Sequence, residues 1–91
     1  MPSLLEKIQA GAKVVDVRTP DEYEEEHYPN ANNIPVDQVK ARLAEFGDKN
    51  APVVVYCASG SRSAFAAKIL KMAGYTDVTN AGGLGDMPEV C

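Results

Sequence analysis

The chain has 91 residues, 45% of them hydrophobic and 24% charged, which is enough for one small globular core and leaves no room for a second. A formal charge of −4 argues against a general binder of nucleic acid or of an anionic membrane surface, because no basic face outweighs the acidic run Asp21, Glu22, Glu24, Glu25 and Glu26. Two cysteines, Cys57 and Cys91, and one histidine make neither a disulfide framework nor a zinc pattern, so no structural metal is expected.

Ser3 with Glu6 forms a capping box ahead of Leu4, Leu5 and Ile8, predicting a short helix that runs to about Ala10 and stops at Gly11. Val14 to Val17 follows as a buried strand. Thr19-Pro20-Asp21-Glu22 is a second helix start, with Thr19 as N-cap, Pro20 at the first helical position and Glu22 placed to reach back. The acidic run beyond it reads as a solvated helix face. His27 to Asn32 is a turn-rich connection in which Asn30 can take the left-handed conformation, and Asn33-Ile34 is a very short strand.

Val36, Val39, Leu43 and Phe46 fall three, four and three residues apart, which predicts one amphipathic helix ending near Gly47. Val53 to Tyr56 is a continuous apolar run of the kind found in a central parallel strand covered on both faces. Phe65, Ile69 and Met72, with Ala66, Leu70 and Ala73 beside them, predict the apolar side of a further helix closed by Gly74. Asp77 to Thr79 is a last short strand, and Ala81 to Gly85 reads as a flexible tail. Strands alternating with helices predict a three-layer α/β fold, with a small parallel sheet flanked by helices and a single domain over residues 1–91. The opening residues lack a basic segment followed by an apolar stretch, and nothing later approaches a membrane span. The chain is therefore read as cytoplasmic, or periplasmic if a signal peptide has been removed, and as contacting no membrane.

The segment Val53-Val54-Val55-Tyr56-Cys57-Ala58-Ser59-Gly60-Ser61-Arg62-Ser63 carries the chemistry. It reads as strand, tight loop and helix start, and the loop sits at the carboxyl end of a strand, where open α/β sheets bind ligands. Such a loop turns successive backbone N–H groups inward, and the helix N-terminus adds partial positive charge. A cysteine held there beside an arginine has a depressed pKa, and its thiolate is the reactive form. A purely structural cysteine does not explain the run of small residues Ala58, Ser59, Gly60 and Ser61. Nor does it explain Arg62, whose charge is at the unfavourable end of the helix dipole unless the side chain folds back onto an anion.

Three stretches, in order and covering most of the chain, resemble the single-domain rhodaneses, sulfurtransferases of the thiosulfate sulfurtransferase type. Val15-Asp16-Val17-Arg18-Thr19-Pro20-Asp21-Glu22-Tyr23 is similar to the family's Asp-Val-Arg segment with its following Glu and aromatic. His27-Tyr28-Pro29-Asn30-Ala31-Asn32-Asn33-Ile34-Pro35 is similar to its histidine, proline, alanine, Asn-Ile-Pro segment. The cysteine loop, with Gly60, Arg62 and Ser63, is the third, trailed by Gly82-Gly83. The resemblance implies a rhodanese-like fold with about four strands, the family's leading strand being absent before Leu4. It implies that Cys57 carries sulfane sulfur as a persulfide, that the backbone of Ala58, Ser59, Gly60, Ser61 and Arg62 cradles the terminal sulfur, and that Asp16, Arg18, His27 and Ser63 support the site. No cofactor is implied. Glu26 and Asn30 stand where the family usually has glycine, and its frequent tryptophan after Gly-Gly is missing, with Leu84 and Met87 the nearest apolar substitutes.

Phosphatases and arsenate reductases of the same fold hold five residues between cysteine and arginine, whereas this loop holds four, a smaller cradle suited to one sulfur atom rather than a phosphoryl group. Tyr56 also stands where those phosphatases typically carry histidine. The implied partners are a small anionic donor, thiosulfate or a polysulfide, and a cyanide or thiol acceptor, with a protein sulfur donor or acceptor also compatible and the chain acting as a monomer. Two alternatives stay open at this point. One is a thiol redox or sulfide-sensing module in which Cys91 resolves Cys57. The other is an interaction module that has lost catalysis, against which the retained cysteine argues.

Overall fold

The computed structural model describes residues 3–88, so Cys91 lies outside the described residues. Its elements are α1 (Leu4–Gln9), β1 (Lys13–Asp16), α2 (Pro20–Glu25), β2 (Asn32–Asn33), 3-10 turns at Val36–Gln38 and Leu43–Phe46, β3 (Val53–Cys57), α3 (Ser61–Met72), β4 (Val78–Gly83) and a 3-10 turn at Leu84–Asp86. The four strands form one sheet in the order β2-β1-β3-β4, and every pairing is parallel. The chain leaves β1 for β2 on one side and returns to β3 on the other. A topological switch point therefore falls between β1 and β3.

Both N-terminal helices start as the sequence dictates. The Ser3 and Thr19 hydroxyls accept from the backbone N–H of Glu6 and Glu22, and each glutamate reaches back to the cap N–H, so each box satisfies two N–H groups that a helix end would otherwise leave orphaned. Asn30 adopts φ 66°, the left-handed conformation expected of it.

β3 is buried at every position, and its alternation divides the core in two. Val53, Val55 and Cys57 face α3 and the 3-10 segment, in one cluster with Val15, Val17, Ile34, Val39, Phe46 and Leu70. Val54 and Tyr56 point to the other face with Val14, Tyr28 and Ala31, covered by Leu4 and Ile8 of α1 and Tyr23 of α2. At about 1.5–3 kcal/mol for each fully buried large apolar side chain, this central strand contributes to both halves of the core. It fixes the end from which the cysteine loop leaves.

The structure corrects four expectations. The stripe Val36, Val39, Leu43, Phe46 does pack on one core, but as two 3-10 turns rather than one helix. The three-residue spacing within each pair is the 3-10 period, and the four-residue gap between them is where the chain turns, at Arg42 with φ −117°. Along α3, Phe65 and Met72 are exposed, and the buried face is Ser63, Ala66, Ala67 and Leu70. Small residues there let the helix lie close on β3 and β4 where a bulkier side would hold it off. Residues Ala81 to Gly83 continue β4 instead of forming a tail, and the 3-10 turn after them is tied down by the Gly83 N–H donating to Asp86 Oδ2 at 2.9 Å. The acidic run is not simply a solvated face: Glu22 caps α2 and holds a long-range ion pair, and Glu26 has left the helix in extended backbone.

Candidate active site at the carboxyl end of β3

Cys57 is the last residue of β3 and has no exposed surface, while Ala58 and Ser59 of the loop beyond it are exposed. The backbone curls around its sulfur. The Gly60 N–H donates to Cys57 Sγ at 2.9 Å and the Ser63 N–H at 3.4 Å, and the Ser63 hydroxyl lies 3.4 Å away. Gly60 permits this turn, since it sits at φ 100° as the N-cap of α3. Burial pushes the Cys57 thiol up. The Ser63 hydroxyl and the backbone N–H groups of Ser63, Ser59 and Gly60 pull it down more strongly, so the thiol titrates below its ordinary value.

Ser63 is itself fully buried at the centre of a polar cluster. Besides the sulfur, its hydroxyl lies 2.6 Å from Asn80 Oδ1, 3.1 Å from the Gly60 carbonyl and 3.4 Å from the Gly82 carbonyl. One hydroxyl has one proton, so it serves these acceptors one at a time, and a thiolate competes with Asn80 for it. Asn80 closes the cluster by donating from Nδ2 to the Gly60 carbonyl and accepting from the Gly82 N–H. Asn80 was missed in the sequence, where nothing marks one asparagine in a strand as the partner of a serine 17 residues earlier.

The Gly82-Gly83 pair fits against this loop. A Cβ on Gly83 would overlap the Ala58 carbonyl oxygen, and Gly82 adopts φ 92°, so neither position tolerates a side chain without displacing the backbone. Leu84 and Met87 pack on the Tyr28, Tyr56 cluster, where the sequence reading placed them as substitutes for the absent tryptophan.

The Arg62 guanidinium hydrogen-bonds a carboxylate rather than the sulfur. The sequence reading has it folding onto an anion at Cys57, but its guanidinium is engaged in a two-pronged pair with Glu22, at 2.7 and 3.1 Å. The pair ties the start of α3 to α2, and Arg62 with the Thr19 cap holds the Glu22 carboxyl down at about 2. Ser61 and Arg62 thus open α3, while the hydrogen-bond donors on the sulfur come from Gly60 and Ser63.

Asp16 and Arg18 brace the floor from β1. Both are buried, with Arg18 Nη2 2.7 Å from Asp16 Oδ2, the Arg18 N–H 2.8 Å from Oδ1 and the Tyr56 hydroxyl donating to Oδ2 at 2.9 Å. Tyr56 accepts in turn from the Tyr28 N–H, and burial pushes its own hydroxyl well above the usual tyrosine value. Arg18 also donates to the Glu26 carbonyl, which fixes the exit of α2. His27 stacks on Tyr23 with ring centroids 3.8 Å apart, its Nδ1 lying 2.9 Å from the Tyr23 carbonyl.

An open groove of about 690 Å³ lies beside the loop, at the switch point. Ala58 borders it on the loop side, and Tyr28, Pro29, Leu84, Met87 and Pro88 supply apolar walls. Arg18, Glu26 and His27 form the polar rim.

Fold and site together define an α/β domain that holds a buried thiol of lowered pKa inside a backbone cradle. The family model for the rhodanese-like domain matches residues 1–84. Thiosulfate sulfurtransferase PspE of Escherichia coli K12 is 51% identical over 79 residues, covering 84% of this chain and 76% of that protein. The YqhL protein of Bacillus subtilis is 40% identical over 81 residues, and the chain spans 64% of its length. A solved structure of a rhodanese with anions from E. coli superposes with a TM-score of 0.80 at 48% identity, over 88% of this chain and 98% of that one. The chain belongs to the rhodanese-like domain family.

Proposed function

We propose that this rhodanese-type sulfurtransferase carries sulfane sulfur as a persulfide on Cys57 and moves it from thiosulfate or a related donor to a thiophilic acceptor. The observation that carries the reading is the set of Gly60 and Ser63 donors closed on one cysteine sulfur whose pKa they depress. The relative PspE, named a thiosulfate sulfurtransferase, supports the choice of donor.

In the first half-reaction the Cys57 thiolate attacks the outer sulfur of thiosulfate. A new S–S bond forms to Cys57, the bond to the sulfonate sulfur breaks, and its electron pair leaves with sulfite. The persulfide keeps one negative charge, which the loop N–H groups solvate in place of water. In the second half-reaction the acceptor attacks the terminal sulfur and the electron pair returns to Cys57 as thiolate. The depressed thiol pKa makes Cys57 a good leaving group in this step. Arg62 acts by fixing the start of α3 through Glu22, and Asp16 and Arg18 act by holding β1 and Tyr56 under the loop.

Steady-state kinetics with thiosulfate and cyanide test the reading. Parallel double-reciprocal lines and loss of turnover in Cys57→Ser are expected. Intersecting lines, or turnover surviving in Cys57→Ser, would sink it.

A further inference from the structure

We propose that the groove beside Ala58 is the acceptor subsite and that it selects an uncharged organic thiol with an apolar body, Met87 and Leu84 setting that preference. The inference rests on the persulfide reading of Cys57 and adds the class of molecule that discharges it.

Size is the first argument. At about 690 Å³ the open groove is far larger than an ion as small as thiosulfate, which leaves most of it empty. Nothing in the donor half-reaction needs this space. The groove reaches the loop at Ala58, the residue after Cys57, so an acceptor seated in it lies beside the loop that holds the persulfide.

Wall chemistry is the second. Tyr28, Pro29, Leu84, Met87 and Pro88 give the groove an apolar interior, and the Leu84 and Met87 side chains are partly exposed while packing on the Tyr28, Tyr56 cluster behind them. They form a fixed apolar wall. Methionine's flexible thioether adapts such a surface to ligands of differing shape.

Charge is the third. Arg18 is the one cation among the residues lining the groove, and its guanidinium is committed to the Asp16 carboxylate and the Glu26 carbonyl. Glu26 lines the groove, with Glu25 next to it in the chain, so its edge is acidic. An acceptor bearing carboxylates would meet this negative edge with no free cation to offset it, whereas an uncharged apolar thiol meets no such repulsion. In the transfer step its thiolate attacks the terminal sulfur of the Cys57–S–S⁻ persulfide. The new S–S bond forms on the acceptor, the bond to Cys57 Sγ breaks, and Cys57 departs as thiolate.

The test loads the protein with thiosulfate, removes excess donor, and measures single-turnover discharge to cyanide and to three thiols: 2-phenylethanethiol, 2-mercaptoethanol and 3-mercaptopropionate, each rate corrected to its thiolate concentration. Expected is a discharge by 2-phenylethanethiol about tenfold faster than by 2-mercaptoethanol, equivalent to about 1.4 kcal/mol, with saturation. 3-Mercaptopropionate should be the slowest of the three. Met87→Glu should erase the preference for the aromatic thiol and Met87→Leu should keep it, with Leu84→Ala reducing it and thermal melting showing that each variant folds. Equal corrected rates for the three thiols in the wild type, or a preference unchanged in Met87→Glu, would overturn the proposal while leaving the persulfide reading intact. A protein that takes up no sulfur, or that cyanide does not discharge, would refute the persulfide reading and this inference with it.

Discussion

Ser63→Ala isolates the contribution of one buried hydroxyl to both the thiol and the loop, and it is best made in a Cys91→Ser background so that a single cysteine titrates. Removal of the hydroxyl takes a donor from Asn80 Oδ1, the Gly60 carbonyl and the sulfur. Two of these retain a partner, since Asn80 Nδ2 still donates to the Gly60 carbonyl at 3.3 Å and the Gly82 N–H still donates to Asn80 Oδ1 at 3.0 Å. Asn80 Oδ1, the Gly60 carbonyl and the sulfur each keep another donor, so the cost falls at the lower end for a buried hydrogen bond, about 1–1.5 kcal/mol. For a domain of this size that lowers Tm by about 4–12 °C. The sulfur keeps the Gly60 and Ser63 N–H groups but loses the foremost influence holding its pKa down, so the thiol pKa rises. The native thiol pKa lies below that of the unfolded chain, so the associated stability is present above the unfolded pKa and is lost as pH falls through the native one. The stability gap between wild type and variant therefore widens as pH rises through the ordinary thiol range. Alkylation by iodoacetamide across pH reads the thiol, and thermal melting at several pH values reads the linkage. An alkylation profile that superimposes on that of the parent, or moves toward acid, would refute the assignment of Ser63 as the hydroxyl that stabilises the thiolate.

Three further substitutions probe the frame around the loop. Gly83→Ala drives a Cβ into the Ala58 carbonyl oxygen and is expected to cost about 1–3 kcal/mol and to cut sulfur loading, whereas Gly85→Ala, which meets nothing within 4 Å, leaves both within error. Equal effects from the two in urea unfolding and loading assays would show that the close approach is not what matters. Asp16→Asn leaves the buried Arg18 without its carboxylate and is expected to cost about 3–5 kcal/mol in urea unfolding; a loss under about 1 kcal/mol would mean that the network is not the brace described. Glu22, held at about 2 against an ordinary 4.5, stabilises the fold above pH 4.5 and loses that contribution as pH falls toward 2. Glu22→Gln is accordingly destabilised near neutrality, by under about 1 kcal/mol because the pair is one-third exposed, and matches wild type in acid; a deficit independent of pH would contradict the ion pair.

Local signals carried most of the fold into view. Ser3 with Glu6 and Thr19 with Glu22 announce helix starts because a capping box is a contact between residues three apart, and the Val53 to Tyr56 run announces a buried strand because few residues besides β-branched ones assemble so densely. The cysteine loop was readable for the same reason, as strand, small residues and helix start are contiguous. Elsewhere the deciding contacts are distant. The pair between Glu22 and Arg62 joins residues 40 apart, so Arg62 reads from sequence as an anion ligand and stands in the structure as a tie between two helices. Periodicity placed Ala66, Ile69, Leu70 and Ala73 of α3 on the core side but also counted Phe65 and Met72, which are exposed, and passed over Ala67, because the close approach to β3 and β4 admits only small residues there. Glycines at Gly82 and Gly83 suggested a loose tail, but their lack of side chains is what lets β4 lie against the Ala58 backbone. The groove is assembled from segments after β1, β3 and β4 and leaves no local trace.

The most direct measurement is the intact mass of the protein after incubation with thiosulfate, for wild type, Cys57→Ala and Cys91→Ser, followed by cyanide. The account predicts a gain of one sulfur atom in wild type and Cys91→Ser, none in Cys57→Ala, and its complete removal by cyanide. A wild type that gains no sulfur, or a gain that survives in Cys57→Ala, would contradict the claim that Cys57 in its ring of N–H donors is the sulfur carrier.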